Sequence, residues 1–138
     1  MNDILLAYSF IKEITDWISK QSDIQVAALV GSYANDTATQ ESDIDLVIVT
    51  KEPIKYIADI QWAVQFGNIE RQQCEDYGLV TSLRVWYTRG LEVEYGITDL
   101  RWTTDPLDEG TREVIKNGIQ VLFERGNILS RHLIRTKL

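Results

Sequence analysis

Two short apolar segments, IQVAALV at Ile24–Val30 and IDLVIV at Ile44–Val49, constrain the fold of this chain more than any other feature. Both are rich in β-branched and other apolar residues and are short for a helix, so each predicts a buried strand. The segment between them, GSYANDTATQES, has no apolar periodicity and predicts a loop with at most one helical turn. The sequence therefore predicts two buried strands separated by one polar loop.

Two helices are predicted around these strands. Apolar residues recur on one helical face from Asn2 to about Lys20, where Asn2 or Asp3 can cap the first turn. A second apolar face lies between Pro53, which suits a first helical position, and Gly67, which suits a C-terminal cap. The pattern indicates a sheet that is flanked by helices.

Further strands are predicted after the second helix. Three segments have strand character, and the last two are joined by a short turn at Gly90, which predicts a hairpin. The tail predicts a helix closed by Gly118, a last short strand and a frayed helix to the end. The three segments are Ile69–Cys74, Leu79–Tyr87 and Leu91–Ile97, and the short strand of the tail is Val121–Glu124.

This order of elements predicts an α/β (α+β) fold with a mixed sheet of about five strands. It does not alternate regularly enough for a doubly wound parallel sheet. A length of 138 residues is sufficient for one domain with its own core. We therefore expect a single domain over residues 1–138, with residues 103–138 as a C-terminal extension packed on it.

The composition excludes several classes of protein. The single cysteine, Cys74, rules out an internal disulfide framework and a cysteine-cluster zinc site, and we expect a buried structural thiol. A formal charge of −7 is not the basic footprint of a protein that binds nucleic acid. No apolar run is long enough to cross a bilayer, and the N-terminus lacks the basic region of a signal peptide. A cytoplasmic location is expected.

An acidic pair begins the second apolar segment. Side chains two residues apart in a strand point to the same face, so Asp43 and Asp45 project together while Ile44 points into the core. Adjacent carboxylates repel each other, and a divalent cation such as Mg²⁺ removes that repulsion. The alternative is a pair of exposed acids on an edge strand. The apolar residues that follow favour a sheet end that lines a cleft.

A Gly31-Ser32 pair follows the first apolar segment, at the end of a strand where open sheets place ligands. Glycine lets backbone amides approach a phosphate closely, and the serine hydroxyl adds a donor. Alone, such a pair is a common turn. Its significance comes from the acidic pair that follows it across one loop.

Taken together, the stretch GSYANDTATQESDIDLVIV resembles the signature of the DNA polymerase beta nucleotidyltransferase superfamily, in which a Gly-Ser pair precedes an Asp-x-Asp strand. Within it, the chain resembles bacterial minimal nucleotidyltransferases and the catalytic domains of antibiotic-modifying adenylyltransferases. The segments GLEVEYG and TDPLDEGTREVIKNG are similar to the tails of small bacterial members, which extends the resemblance along the chain.

The resemblance implies that Asp43 and Asp45 hold two Mg²⁺ ions. A third carboxylate from a later strand completes the metal site in this superfamily, and Glu92 and Glu94 are both candidates because they share one strand face. We favour Glu94, since its VEYG context is most similar to the family. The chain departs from many relatives by having Glu rather than Asp at this position.

The same resemblance implies that Gly31 and Ser32 bind the terminal phosphates of ATP, and Ser42 and Arg84 are further candidates for the nucleotide site. An alternative role for Arg84 is to pair with the two glutamates on a solvated face. The loop over residues 35–40 also lacks a glycine that many relatives carry after their Gly-Ser-x-Ala run.

The expected function is a Mg²⁺-dependent nucleotidyltransferase that moves a nucleoside monophosphate, AMP from ATP, to a hydroxyl of an unknown acceptor. That acceptor is a small molecule such as an aminoglycoside, or a protein side chain. A small helical partner protein or a homodimer is a candidate for completing the acceptor pocket. The alternative hypothesis is an antitoxin-like, partner-binding protein of a minimal nucleotidyltransferase toxin–antitoxin pair.

Overall fold

The structure, a computed structural model, describes the backbone of residues 4–137 and the side chains of residues 4–133. The proposed caps at Asn2 and Asp3 lie outside the described residues. The helices are α1 (Ile4–Ser19), α2 (Pro53–Ile57), α3 (Gln61–Val64), α4 (Glu109–Asn117) and α5 (Ser130–Lys137). The strands are β1 (Ile24–Val30), β2 (Ile44–Thr50), β3 (Ile69–Asp76), β4 (Thr81–Tyr87), β5 (Glu92–Thr98) and β6 (Ile119–Glu124).

The six strands form one mixed sheet in the order β3-β4-β5-β2-β1-β6. Strand β2 is parallel to β5 and antiparallel to β1, and the remaining pairs are antiparallel. The prediction of a mixed sheet flanked by helices is confirmed. The sheet has six strands rather than about five, because the short strand of the tail lengthens to six residues and pairs along β1.

Strand alternation divides the interior into two cores, one on each face of the sheet. On one face, α1 packs through Phe10 and Ile14 against β2 residues such as Leu46. On the other face, Val47 and its strand neighbours pack against Trp102 of a 3₁₀ turn and against the tail. Because Asp45 is two residues before Val47, its side chain projects from this second face.

The helix predicted between Pro53 and Gly67 is two short helices, α2 and α3. The indole Nε1 of Trp62 donates to the carbonyl of Tyr56 at 3.0 Å, and an unbroken helix would use that carbonyl for the amide of Ile60. The carboxylate of Asp59 then accepts the amide of Gln61 at 3.0 Å, at the start of α3. The Trp62 indole thus takes the carbonyl that would extend the first helix, and its stacking on Trp17 of α1 holds it there.

The prediction of a buried Cys74 is wrong, because the thiol is exposed. Cys74 lies in β3, which forms one edge of the sheet, and seven of its eight residues are exposed. Its side chains on both faces are exposed from Glu70 onward, so alternation along this strand does not bury Cys74. Polar and charged side chains keep such an uncovered edge soluble.

Among residues 4–137, no helix combines the length and the apolar character that a bilayer crossing requires.

A buried carboxylate, Asp23, ties the start of β1 to the end of β2 and to α2. It is 8% exposed and accepts hydrogen bonds from Tyr56 Oη at 2.6 Å, Thr50 Oγ1 at 2.7 Å and Lys55 Nζ at 3.1 Å. Burial alone would raise the pKa of Asp23, but these donors outweigh it and hold the pKa below its ordinary value.

Replacing Asp23 with Asn should lower the free energy of unfolding by about 1–3 kcal/mol, because two buried hydroxyl donors and the exposed Lys55 ammonium lose their charged acceptor. Urea denaturation at pH 7 measures this. The matched control is Asp16→Asn, since Asp16 forms only an exposed pair with Lys20, and it should change stability by less than about 0.5 kcal/mol. Equal effects of the two substitutions would contradict this role of Asp23.

The stabilisation by Asp23 should also depend on pH. A lowered pKa in the folded state contributes stability above the unfolded pKa of about 3.9, and this contribution is lost as the pH falls through the folded pKa. The stability difference between the wild type and Asp23→Asn should therefore shrink between about pH 4 and pH 2. Urea midpoints measured across that range test the direction, and a constant difference would argue against it.

Candidate active site

Strand pairing brings three carboxylates together on the second face of the sheet. In the ladder, Asp45 of β2 is opposite Glu94 of β5, and Asp43 lies two residues before Asp45. One carboxylate oxygen from each of Asp43, Asp45 and Glu94 lies within 4.8 Å of the other two. Glu92, the other candidate for the third acid, lies two residues before Glu94 in β5, opposite Trp86 of β4.

The close carboxylates perturb the ionisation of Asp45. Burial, the charge and hydrogen bond of Asp43 and the charge of Glu94 raise the pKa of Asp45 to about 8, and the charge of Arg84 offsets only part of this. Asp45 therefore keeps its proton to a higher pH than an ordinary aspartate does. A bound divalent cation would replace that proton and stabilise the carboxylate form.

The Gly31 turn lies against the carboxylate of Asp45. Gly31 has φ +70°, in the left-handed region, and begins the 3₁₀ turn Gly31–Tyr33 directly after β1. A Cβ atom at this position would overlap Asp45 Oδ2, so both the backbone angle and the contact require glycine. The sequence Gly-Ser is therefore placed beside the acidic pair, with Ser32 half-buried in the same turn.

Arg84 of β4 occupies the centre of the acidic cluster. Its Nη1 donates to Glu92 Oε2 at 2.7 Å and to Asp43 Oδ2 at 3.3 Å, and its Nη2 donates to Glu94. Burial alone would lower the pKa of Arg84, but its acidic neighbours outweigh burial and raise it. Two roles were considered for Arg84, nucleotide binding and pairing with the glutamates. The structure shows ion pairs with both glutamates and with Asp43, and nucleotide binding stays a prediction.

Ser42 lies in the loop just before Asp43. Its hydroxyl accepts the amide of Thr39 at 2.9 Å, and its own amide donates to the Thr39 carbonyl at 3.1 Å. These bonds shape the loop that leads into the acidic pair. A role in nucleotide binding stays a prediction for Ser42.

The residues present fit a divalent metal ion. Asp43, Asp45 and Glu94 offer hard oxygen ligands at the spacing of a metal site, which matches the preference of Mg²⁺ for carboxylates, water and phosphate oxygens. Because Gly31 has no side chain, its backbone lies directly beside Asp45. These observations identify the carboxylate cluster as the candidate active site.

Two features near the carboxylates were not found by sequence reasoning. A cavity of about 490 Å³ begins at Asp45 and Glu94 and is also lined by Thr111 and Trp102. Beyond Arg84, the guanidinium of Arg71 lies 3.9 Å from the centre of the half-buried Trp86 ring. Both features bring together segments that are far apart in the chain, so local sequence patterns do not predict them. For the cavity, the one local indication was the polar Asp-x-Gly-Thr run of the tail.

Residues 12–80, half of the chain, match the model of the family described as Polymerase beta, Nucleotidyltransferase. The chain belongs to this polymerase beta nucleotidyltransferase family. The resemblance derived from the Gly-Ser and Asp-x-Asp segments is thereby confirmed. No curated protein sequence matches the chain significantly.

Two solved structures are similar to this nucleotidyltransferase-family chain, and the first of them supports the fold. An aminoglycoside 6-adenyltransferase from Bacillus subtilis is 14% identical, with a TM-score of 0.55, over 80% of this chain and 38% of that one. Cid1 in complex with the UTP analogue UMPNPP is 11% identical, with a TM-score of 0.46, over 68% and 29%. The chain therefore spans well under half the length of these proteins.

Replacing Arg84 with Met should tighten the binding of Mn²⁺, used as a probe for Mg²⁺, by about 3–10-fold in the absence of nucleotide. The substitution removes a cation that pairs with the acids a metal ion would use. Electron paramagnetic resonance of free Mn²⁺ measures the affinity. Arg101→Met is the control, since Arg101 pairs with Asp99, outside the acidic cluster, and is 71% exposed. Weaker Mn²⁺ binding by Arg84→Met would contradict this role.

Proposed function

We propose that this chain is a Mg²⁺-dependent nucleotidyltransferase that transfers AMP from ATP to a hydroxyl of an acceptor. The observation that carries the proposal is the convergence of Asp43, Asp45 and Glu94, with the Gly31 turn touching Asp45. A partner-binding role, the alternative hypothesis, does not require three closely spaced acidic side chains beside a glycine turn. Their presence favours the enzyme.

Each residue of the cluster has a role in this proposal. Asp43, Asp45 and Glu94 would hold two Mg²⁺ ions, which when bound neutralise the triphosphate and stabilise the departing pyrophosphate. Backbone amides and the hydroxyl of the Gly31-Ser32 turn would bind the terminal phosphates. Ser42 belongs to the same proposed nucleotide site, because it directly precedes Asp43 in the loop that connects the Gly31 turn to β2.

Phosphoryl transfer is catalysed mainly by positioning and by charge stabilisation. The acceptor oxygen forms a bond to the α-phosphorus as the bond to the pyrophosphate oxygen breaks, and the hydroxyl proton passes to a carboxylate of the cluster, for which Glu94 is the candidate. Arg84 would then exchange its contact with Glu94 for one with a phosphate oxygen, which guanidinium groups bind well.

The sheet order supports a proposed position for each substrate. The Gly31 turn follows β1, whereas Arg84 and Trp86 are on β4, and β2 and β5 lie between them. The attacking oxygen and the leaving pyrophosphate are on opposite sides of the α-phosphorus. With pyrophosphate at the turn, the acceptor approaches over β4, beside Trp86 and Arg71.

The identity of the acceptor is part of the proposal. One similar structure is an aminoglycoside 6-adenyltransferase, and an aminoglycoside or another small hydroxyl compound is the first class to test. This chain covers 38% of that protein, so further acceptor-binding surface is proposed to come from a small helical partner protein or a second copy of the chain.

The direct test uses Asp45→Asn, with Asp16→Asn as the matched control on the exposed part of α1. Wild-type protein with Mg²⁺ and ATP labelled at the α-phosphate should release pyrophosphate and label an acceptor. Asp45→Asn should lower that rate by at least about 100-fold, because a ligand that holds the metal ions is lost.

A second measurement does not depend on finding the acceptor. Calorimetry should detect ATP binding to the wild type only when Mg²⁺ is present, and Asp45→Asn should abolish it while Asp16→Asn does not. Equal ATP binding with and without Mg²⁺, or by Asp45→Asn and the wild type, would exclude the proposed metal-dependent mechanism.

A further inference from the structure

Strand β3 has one free edge. It is the first strand in the order of the sheet, and seven of its eight residues are exposed. Where β3 turns into β4, the amide of Tyr77 donates to the carbonyl of Val80 at 2.9 Å, and backbone groups along an antiparallel strand alternate between its two sides. The backbone groups of Gln72 and Cys74 therefore point away from β4, to the free edge.

The edge lacks the devices that commonly stop one strand from pairing with another. Its sequence, IERQQCED, has no proline and no lysine, and the irregularity in its pairing with β4 lies at its start, between Ile69 and Arg71. Residues 71–76 thus form a regular strand with free backbone groups on its outer side. An extended strand of another chain can bind these groups by antiparallel pairing.

The side chains along this edge are self-complementary. On the second face of the sheet, Arg71, Gln73 and Glu75 follow one another at two-residue spacing, with the cation and the carboxylate equally far from Gln73. A second copy of the strand, antiparallel and centred on Gln73, would place each Arg71 opposite Glu75 of the other copy. Opposite charges stabilise such cross-strand pairs.

Both charged residues are already held in place. Among the described residues no carboxylate forms an ion pair with Arg71, whose guanidinium lies 3.9 Å from the centre of the Trp86 ring. An aromatic ring contacts the face of a guanidinium and a carboxylate binds its edge, so the two contacts are compatible. Glu75 accepts hydrogen bonds from the side chains of Gln73 and Tyr77, and a carboxylate has room for a further donor.

Other registers lose these ion pairs. A shift of the second copy by two residues places Arg71 opposite Gln73 in one direction and opposite Tyr77 in the other. The pairing also ends within residues 71–75, because beyond them Glu70 would meet Asp76 of the other copy. The irregularity at the start of β3 takes Glu70 out of the regular ladder.

We propose that β3 pairs with β3 of a second copy of this chain, antiparallel about a two-fold axis at Gln73, so that the two sheets join edge to edge. Gln72 exchanges backbone hydrogen bonds with Cys74 of the second copy, and Arg71 forms an ion pair with Glu75 of the second copy. This dimer deepens the proposed function, in which the further component is a helical partner protein or a second copy, and it rests on that function for its consequence alone.

The consequence concerns the acceptor. Side chains that are directly opposite lie on the same face, so the acidic clusters of both copies open on the same side of the joined sheet. Strand β5 of one copy lies five strand spacings from β5 of the other, about 24 Å at about 4.8 Å each. An acceptor over β4 is therefore separated from the second copy only by β3, and Arg71 and Glu75 of the second copy border its approach.

Sedimentation velocity of the full chain without nucleotide tests the dimer. Between about 5 and 500 µM the wild type should pass from monomer towards dimer, because a short ladder is a small interface. Arg71→Glu should weaken the dimer by at least about tenfold, since both ion pairs become repulsions, and adding Glu75→Arg to it should restore the dimer. Lys12→Glu, on the exposed side of α1, is the matched control with the same change of charge and should leave the dimer intact.

Disulfide formation tests the register. In a Cys74→Ser background, Gln73→Cys should form an intermolecular disulfide on mild oxidation, because the two residues at the axis face each other within the span of a disulfide. Gln72→Cys in the same background is the matched control. Position 72 faces position 74 of the second copy, so this variant should react at least about tenfold more slowly.

Three results would overturn the dimer: a chain that stays monomeric up to about 500 µM, a double variant as weak as Arg71→Glu, or equal disulfide yields at positions 72 and 73. A monomeric wild type that binds ATP with Mg²⁺ would leave the proposed function standing. A dimer that binds no ATP would keep the strand pairing and overturn the proposed function.

Discussion

The crowding of three acidic side chains, which the raised pKa of Asp45 and the ion pairs of Arg84 only partly relieve, is the constraint on which the rest of this structure depends. Asp43, Asp45 and Glu94 are held together because β2 and β5 pair in parallel at one fixed register. A shift of one residue would turn these side chains to the opposite face. The two apolar cores on either side of β2 oppose the repulsion, since they bury its alternating residues from both sides. The free energy gained by burying these apolar residues thus offsets the cost of bringing the acidic side chains together.

The same strands serve stability and chemistry at different points along their length. The acids stand at the start of β2, whereas its later residues, such as Val47 and Val49, are packed into the second core. Between these regions the packing is incomplete, and the cavity beside Thr111 lies there. The site is therefore bounded by rigid strands on one side and by the tail on the other.

The sequence was sufficient to predict the features that depend on local pattern. Both central strands, the acidic pair and the glycine turn follow from short runs of residues, and each is where the pattern indicates. Cys74 and the break between α2 and α3 were missed, because both depend on what a distant element does or does not cover. The contact of Arg84 with three acids was left open for the same reason, since it requires knowledge of the order of the strands. The cavity required the tail, whose position no local spacing specifies.

Direct contact between Gly31 and Asp45 has a thermodynamic consequence. The turn proposed for phosphate and the carboxylate proposed for metal share a van der Waals boundary with no side chain between them. A ligand that fixes either one restricts the other, so occupancy at the two positions is coupled. By linkage the effect is reciprocal: whatever factor phosphate contributes to cation affinity, the cation contributes equally to phosphate affinity.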